Sequence, residues 1–344
     1  MKRKDLIRQI EEYRDSRVIT YVTSTRENID SEIEESDIIH FREHLDKICA
    51  SCKKLDLFLF SYGGELEAAW ELVNLLREYN VDFSVLIPYH ARSAATLIAL
   101  GAKEVLMGKM GSLGPIDPSI RIHGGELSGM SLSATDVDSY EDFLRDEYDI
   151  KDPQDKMKAF EMLGQNVSPV LLGKVYRNYL ETKKDAEKML RRNIKDPKKV
   201  KKIVRCFIKD VKTHNHSISR SEARKSGLNV TFADKKMEKL MWDLYKQYEF
   251  TMKMDLPYID EPPKEKERRD VPLTYIESLE LTNIKTSILH FKKLDFPEGS
   301  KLIAQDEEEV ILTPDGQTIP LIPTGRLIAA NDFIYDKTED IYWS

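Results

Sequence analysis

Residues 55–107 read LDLFLFSYGGELEAAWELVNLLREYNVDFSVLIPYHARSAATLIALGAKEVLM, and along this stretch the apolar spacing switches repeatedly between strand-like and helix-like. Leu55–Phe60 is an apolar run of strand length, interrupted only by Asp56. After Gly63-Gly64, the positions Leu66, Ala69, Trp70, Val73 and Leu76 recur at helical spacing. Asp82–Pro88 reads as the next strand. A helix starting near Ser93 is apolar nearly all round, so burial is expected, and it ends at Gly101 before the short strand Glu104–Met107. Upstream, the β-branched run Arg17–Ser24 and the amphipathic stretch Ser36–Cys49 supply one more strand and helix. Such alternation predicts parallel strands covered by helices, joined by right-handed crossovers, with functional loops at the C-terminal ends of the strands. The fold class is α/β.

Composition bounds the rest. With 344 residues, 41% apolar and 33% charged, the chain can bury a sizeable core and is not of the disordered class. No apolar run approaches a membrane span, and the N-terminal MKRKDLIRQIEEYRDSR lacks the apolar stretch of a secretory signal, so a cytoplasmic location is the default expectation. The balance of 53 Lys and Arg against 60 Asp and Glu, net −7, argues against a general nucleic-acid surface. Lys183 to Lys212 is locally basic and reads as a solvated helix face or a surface for an acidic partner. Cys49 and Cys52 have CxxC spacing without a second ligand pair. With Cys206 they make only three thiols, which do not form a disulfide framework, and no metal site is expected.

Three segments carry chemistry. Ser61-Tyr62-Gly63-Gly64 follows a strand and precedes a helix; its glycines permit positive φ and leave main-chain N–H groups uncovered, which suits an anion or oxyanion, although such turns also serve packing alone. In His90-Ala91-Arg92-Ser93, a serine stands at the mouth of an apolar helix, with the Ala94 amide at the helix start. An N-cap serine would occupy the same place. Met110–Pro118, MGSLGPIDP, is a rigid non-helical path. The topology brings all three to one edge of one sheet.

These residues resemble a family. SYGG at 61–64, SAATLIALGAKEVLMGKMGSLGPIDP at 93–118 and THNHSISRSEARKSGLNV at 213–230 are similar to the serine dehydrogenase proteinase family, relatives of signal-peptide peptidase A within the Clp/crotonase fold. The similarity spans roughly residues 15–235. It implies a Clp/crotonase-like core of repeated ββα/βαβ units and a serine-type peptidase that acts on peptide or protein substrates without a cofactor or ATP. It further implies Ser93 as nucleophile, the Gly64 and Ala94 amides as oxyanion donors, Gly63 shaping the turn, and a homo-oligomer. Tyr62 stands where the wider superfamily has proline, and Arg92 where smaller or apolar residues are common.

The nucleophile needs a base. Twenty-four residues after Ser93, near where the Clp branch places histidine, the chain has Asp117, read as a brace; the nearest histidine is His123. The signal-peptide peptidase branch uses a desolvated lysine, and Lys174, in an apolar helical context, is the first choice. Lys156, Lys158 and His214 are further candidates, as is a residue from a neighbouring protomer. Residues 123–140 read as a surface loop, 153–250 as helices broken at Pro169, Pro197 and around His214, and Ser219–Gly227 as a capped structural helix. Trp70 and Trp242 read as core. The expected organisation is a peptidase domain with a helical arm at 1–250, a proline-rich linker at 251–272, and a small β-rich domain of unassigned role at 273–344. The alternative to an enzyme is a non-catalytic Clp-fold scaffold or peptide-binding protein. Thioester chemistry of the crotonase type would use the same amides, but no CoA-binding feature is visible.

Overall fold

The computed structural model describes residues 2–48, 52, 54–79, 82–122, 129–210, 216–259, 268–294, 301–305, 308–312, 314, 318–320, 326–330 and 333–344. In chain order the first part comprises α1 (Arg3–Arg14), β1 (Arg17–Thr23), α2 (Ile38–Ile48), β2 (Lys54–Phe60), α3 (Leu66–Glu78), β3 (Asp82–Ile87), β4 (His90–Ala91), α4 (Ala94–Gly101) and β5 (Glu104–Met107). Then come β6 (Ser112–Leu113), β7 (Ser119–Arg121), β8 (Ser131–Ser133), α5 (Ala134–Tyr148), α6 (Pro153–Asn166), α7 (Pro169–Asn193) and α8 (Pro197–Ile208). These are followed by β9 (Ile218–Ser219), α9 (Arg220–Ser226), β10 (Val230–Phe232) and α10 (Lys235–Met252). The C-terminal strands are β11 (Arg268–Glu277), β12 (Thr282–Leu294), β13 (Lys301–Gln305), β14 (Glu308–Leu312), β15 (Thr318–Pro320), β16 (Arg326–Ala330) and β17 (Phe333–Trp343).

Among the described residues one nine-stranded sheet has the order β10-β5-β3-β2-β1-β11-β12-β17-β16. β1, β2, β3, β5 and β10 run parallel, as the alternation predicts. Their side chains alternate between two cores. Ile19, Leu55, Leu57, Leu59 and Val85 face α2, α3, α4, α7 and α8, whereas Val18, Val22, Phe58, Phe60 and Leu86 face α1 and α10. Coverage on both sides explains why these strands read as largely apolar runs rather than as polar–apolar alternation.

Two expectations are corrected here. Residues 123–140 are not one loop: β8 and α5 occupy 131–140, while 123–128 lie outside the described residues. The serines and threonines that read as loop composition include a capping box, in which Asp136 N donates to Ser133 Oγ (3.2 Å) and Ser133 N donates to Asp136 Oδ2 (2.7 Å). The prolines 153, 169 and 197 break the helical pattern because each is the first residue of a helix, where its missing N–H costs nothing.

The boundary drawn at 272/273 falls inside β11, which pairs antiparallel with β1 from Thr20↔Glu277 to Thr23↔Thr274. The C-terminal strands β11, β12, β17 and β16 therefore extend the main sheet, and β13, β14 and β15 form a separate small sheet. Glu277, 2% exposed, accepts from Arg3 Nε at 2.8 Å and from Tyr248 OH at 2.7 Å, tying β11 to α1 and α10. The alternation rule does not reach this part, because antiparallel strands appended by hairpins carry no helix between them. A chain ended at residue 259 would leave β1 as an open edge with both faces apolar. It should aggregate or melt well below the full chain in differential scanning fluorimetry, and an unchanged melting temperature would show the C-terminal strands to be a dispensable attachment.

Candidate active site

Backbone bonds fasten the three loops at the C-terminal edge to one another. Ser61 N donates to His90 O (3.1 Å) and Arg92 N to Ser61 O (3.0 Å). The Ser61 hydroxyl, fully buried, accepts from Gly63 N at 3.1 Å and from Thr23 Oγ1 at 2.9 Å. The third loop is held by Thr96, whose hydroxyl donates toward Ala91 O (2.8 Å) and Gly114 O (3.0 Å). Ile116 N donates to Phe207 O at 2.8 Å, so α8 anchors the same loop from below.

The loops meet at Ser93. Gly63 and Gly64 have φ of +120° and +141°. A Cβ on Gly63 would lie 2.8 Å from Ser93 Cβ and 3.4 Å from Ala94 N, and one on Gly64 would lie 2.3 Å from Ile33 O. Glycine is required twice over, by backbone conformation and by contact. Ile33 N donates to Gly63 O (2.8 Å) and Glu65 N to Ile33 O (2.9 Å), a bridge that engages the residues on either side of Gly64 but not the Gly64 amide. Ala94 begins α4 and so has no carbonyl a turn earlier to bond. Ser93 itself has φ +48° and ψ −115° and its side chain makes no capping bond. Ser93 thus holds the N-cap position that the sequence left open, but its hydroxyl is not spent on capping. A non-glycine residue held at positive φ costs of order 1–3 kcal/mol and is retained where surroundings over-determine it; here the wholly buried α4 fixes the path of the chain beyond Ser93.

Ser93 opens on a cleft of about 770 Å³, walled by α3 through Leu66 and Trp70, by α7 through Asn178 and Thr182, and by the turn at Asp117–Ser119. A second hollow of about 290 Å³ shares Tyr62 and Gly64 with it and extends along residues 24–32. Glu32, Tyr62 and Gly64 thus line both hollows.

The structure separates the base candidates. Lys174 is exposed on α7, four residues before Asn178 and outside the cleft lining, which corrects the apolar setting expected for it: the neighbouring Leu171 and Leu172 are only half-buried, and Val175 turns inward in its place. Lys156 pairs with Glu141 at 2.8 Å and Lys158 with Asp155 at 3.0 Å. His214 and His123 lie outside the described residues, as does Cys49. Asp117, 8% exposed, lines the cleft. The lysine that the structure brings to the cleft is Lys188, which the sequence reading left among solvated side chains. Its Nζ lies 2.9 Å from Asp185 and 4.9 Å from the centre of the Trp70 ring. Trp70, read as core, is half-buried and faces the cleft. The missed signal was the stripe Asn178, Glu181, Asp185, Lys188 at helical spacing along α7.

Arg92 lies with its guanidinium 4.6 Å from the Tyr62 ring centre, so the two departures from the superfamily pattern pack on each other. His90 bonds Ser112 Oγ through Nδ1 at 2.7 Å and stacks on Tyr89 at 3.6 Å. Among the described residues no three His, Cys, Asp or Glu side chains gather as metal ligands, and no helix is long and apolar enough to cross a membrane.

Known proteins share parts of this chain. Residues 1–127, which carry Ser93 and the paired glycines, match the model of the ClpP-like SDH-type serine proteinase family. The resemblance read from the motifs is borne out, and the fold is Clp-like α/β. The Methanocaldococcus jannaschii protein MJ1495 is 24% identical over 275 residues, 78% of this chain and 84% of that one. MJ0137 of the same organism is 25% identical over 199 residues, 57% of this chain and 59% of its own length. Among solved structures, a mutant of the 1510-N membrane-bound stomatin-specific protease in complex with a substrate peptide shares 16% identity over 64% of this chain and 78% of its own, with a TM-score of 0.38. A second mutant of it shares 17% over 64% and 83%, with a TM-score of 0.36.

The glycine contacts and the buried histidines each give a measurable outcome. Gly64→Ala should destabilise the fold by about 2 kcal/mol or more, because Ile33 presents backbone that cannot move aside as a flexible side chain would. Chemical denaturation that gave wild-type stability would contradict the close approach. Burial, and for His90 also the nearby Arg92 charge, lowers the His44 and His90 pKa from 6.5 to about 4. The folded state therefore favours neutral rings, and their contribution to stability is complete above pH 6.5 and is lost as pH falls through about 4. Melting temperatures between pH 7.5 and 4.5 should fall along this course, with a shallower slope in His44→Asn and His90→Asn; identical slopes in all three proteins would refute it.

Proposed function

We propose that this chain is a serine peptidase in which Ser93 attacks a peptide carbonyl. The Gly64 and Ala94 amides would receive the oxyanion, each such donor being worth about 3–4 kcal/mol in the transition state. Gly63 keeps the approach open, since any side chain there would strike Ser93. The supporting observation is that Ser93, held at positive φ with its hydroxyl unused as a cap, lines a cleft that Gly64 also lines, and that Ala94 follows it as the first residue of α4. The family match supports serine-type hydrolysis, and the two hollows that Gly64 lines suit an extended peptide.

His214 is assigned as the base. It precedes by four residues β9, whose Ile218 pairs with Leu113 of β6, itself paired to β4 just before Ser93. An imidazole is matched to proton transfer near neutral pH without further desolvation, whereas Lys174 is exposed and Lys188 is engaged by Asp185.

A fluorophosphonate probe should label Ser93 and should fail to label Ser93→Ala. His214→Ala should lower the labelling rate by about 10²-fold or more, and Lys174→Met should leave it unchanged. Absence of labelling in every oligomeric state the protein adopts would favour the scaffold reading. Loss of labelling in Lys174→Met, with retention in His214→Ala, would move the base to Lys174.

A further inference from the structure

The cleft beside Ser93 has a charge that acyl chemistry does not call for. Among the described residues seven carboxylate side chains line it against a single lysine. On α3, Glu67 and Glu71 are four residues apart, one helical turn, and on the facing wall Glu181 and Asp185 repeat that spacing on α7. Like charges so placed repel; Glu67 is eased by its place in the first turn of α3 and Asp185 by its pairing with Lys188, while Glu71 and Glu181 add to the negative charge of the two walls. A narrow space with charge of one sign on low-dielectric walls concentrates ions of the opposite sign.

The single cation present shows how an ammonium is received. Lys188 Nζ is held between the Asp185 carboxylate at 2.9 Å and the Trp70 ring at 4.9 Å, an anion on one side and an aromatic face on the other. The other carboxylates on the two helices, Glu67, Glu71 and Glu181, continue the same walls without a lysine of their own among the cleft residues. The geometry points to a substrate segment rich in lysine or arginine, lying between α3 and α7 while its carbonyl meets Ser93. This assignment rests on the peptidase reading for the carbonyl, but not for the binding.

The charge also bears on the reaction. Attack by Ser93 creates a negative oxygen; the Gly64 and Ala94 amides would receive it, and positive charge brought by the substrate would offset the field of the surrounding carboxylates. Basic side chains on the bound peptide would therefore assist turnover as well as binding, and a neutral peptide would lose on both counts.

The test uses the full-length Ser93→Ala protein, so that binding is read without catalysis. Fluorescein-labelled nine-residue peptides alternating Lys with Ala, and Glu with Ala, are compared by anisotropy at low and moderate salt. The Lys peptide should bind at least about fivefold tighter, with the difference shrinking as salt screens it. Glu67→Gln combined with Glu181→Gln should remove most of the preference. Glu12→Gln with Glu147→Gln, two exposed carboxylates outside the cleft carrying the same total charge, should leave it intact. Equal binding of both peptides, or equal losses in the two double variants, would overturn the proposal. If Ser93 proves unreactive while the cleft still prefers the Lys peptide, the peptidase reading falls and the basic-segment site stands; if Ser93 reacts and no preference is found, the reverse holds.

Discussion

A main-chain approach too close for any side chain governs this protein. The turn at Gly63-Gly64 passes against Ser93 on one side and Ile33 on the other, at separations where a Cβ would stand 2.8 Å and 2.3 Å from its neighbours. Because the two residues carry no side chain, β2 can deliver the amides beyond its end to the start of α4, and the loop after β1 can bridge onto the same turn. Replacing either glycine would move the turn, separate the amides from the serine and break the Ile33 bridge together. The unfavourable backbone of Ser93 is tolerated because Thr96, buried in α4, bonds carbonyls from two of the three loops and leaves the serine no alternative path.

The C-terminal strands take part in this arrangement from a distance. Ile33 belongs to the segment between β1 and α2, which has little regular structure of its own. Lys285 on β12, with a side chain 4% exposed, reaches Glu34 at 2.6 Å and Asp37 at 3.6 Å, and Ser31 shares a hydroxyl bond of 2.9 Å with Thr274 on β11. Tyr258 N donates to Glu27 O at 2.8 Å. Strands outside the family match thus brace the residues that position Gly64. A buried ammonium near two carboxylates adds little net stability against its desolvation cost, but it fixes register. Its place here, beside the Ile33 bridge, is where register matters most.

Sequence reading reached the parallel half of the fold and Ser93 with its glycines, because those features are local: a strand, a turn that only glycine can make, and a helix apolar on every side. It did not reach the continuation of the sheet into β11 and β12. That depends on pairing between residues about 250 positions apart, which no short-range spacing encodes. Lys174 was misplaced for a related reason. Apolar neighbours in sequence do not bury a helical residue unless the helix turns that face inward, and on α7 the inward positions include Val175, Ala186 and Met189. Trp70 and Lys188 were hidden from the same kind of reading, since their meeting joins α3 to α7 across the cleft.

The helices that build the cleft's outer wall continue into a less enclosed region. α5 has no buried residue and α6 only Ala159, while Phe143, Tyr148, Met157, Phe160 and Met162 are each 49–64% exposed. Isolated helices of 14 or 15 residues are marginal in water, and their stability ordinarily comes from packing an apolar face. A covering partner, whether a second copy or another protein, would supply that packing. α5 and α6 lead directly into α7, whose Asn178, Glu181, Asp185 and Lys188 form one wall of the cleft. A partner covering this arm would therefore also set how firmly the carboxylate wall is held opposite Trp70.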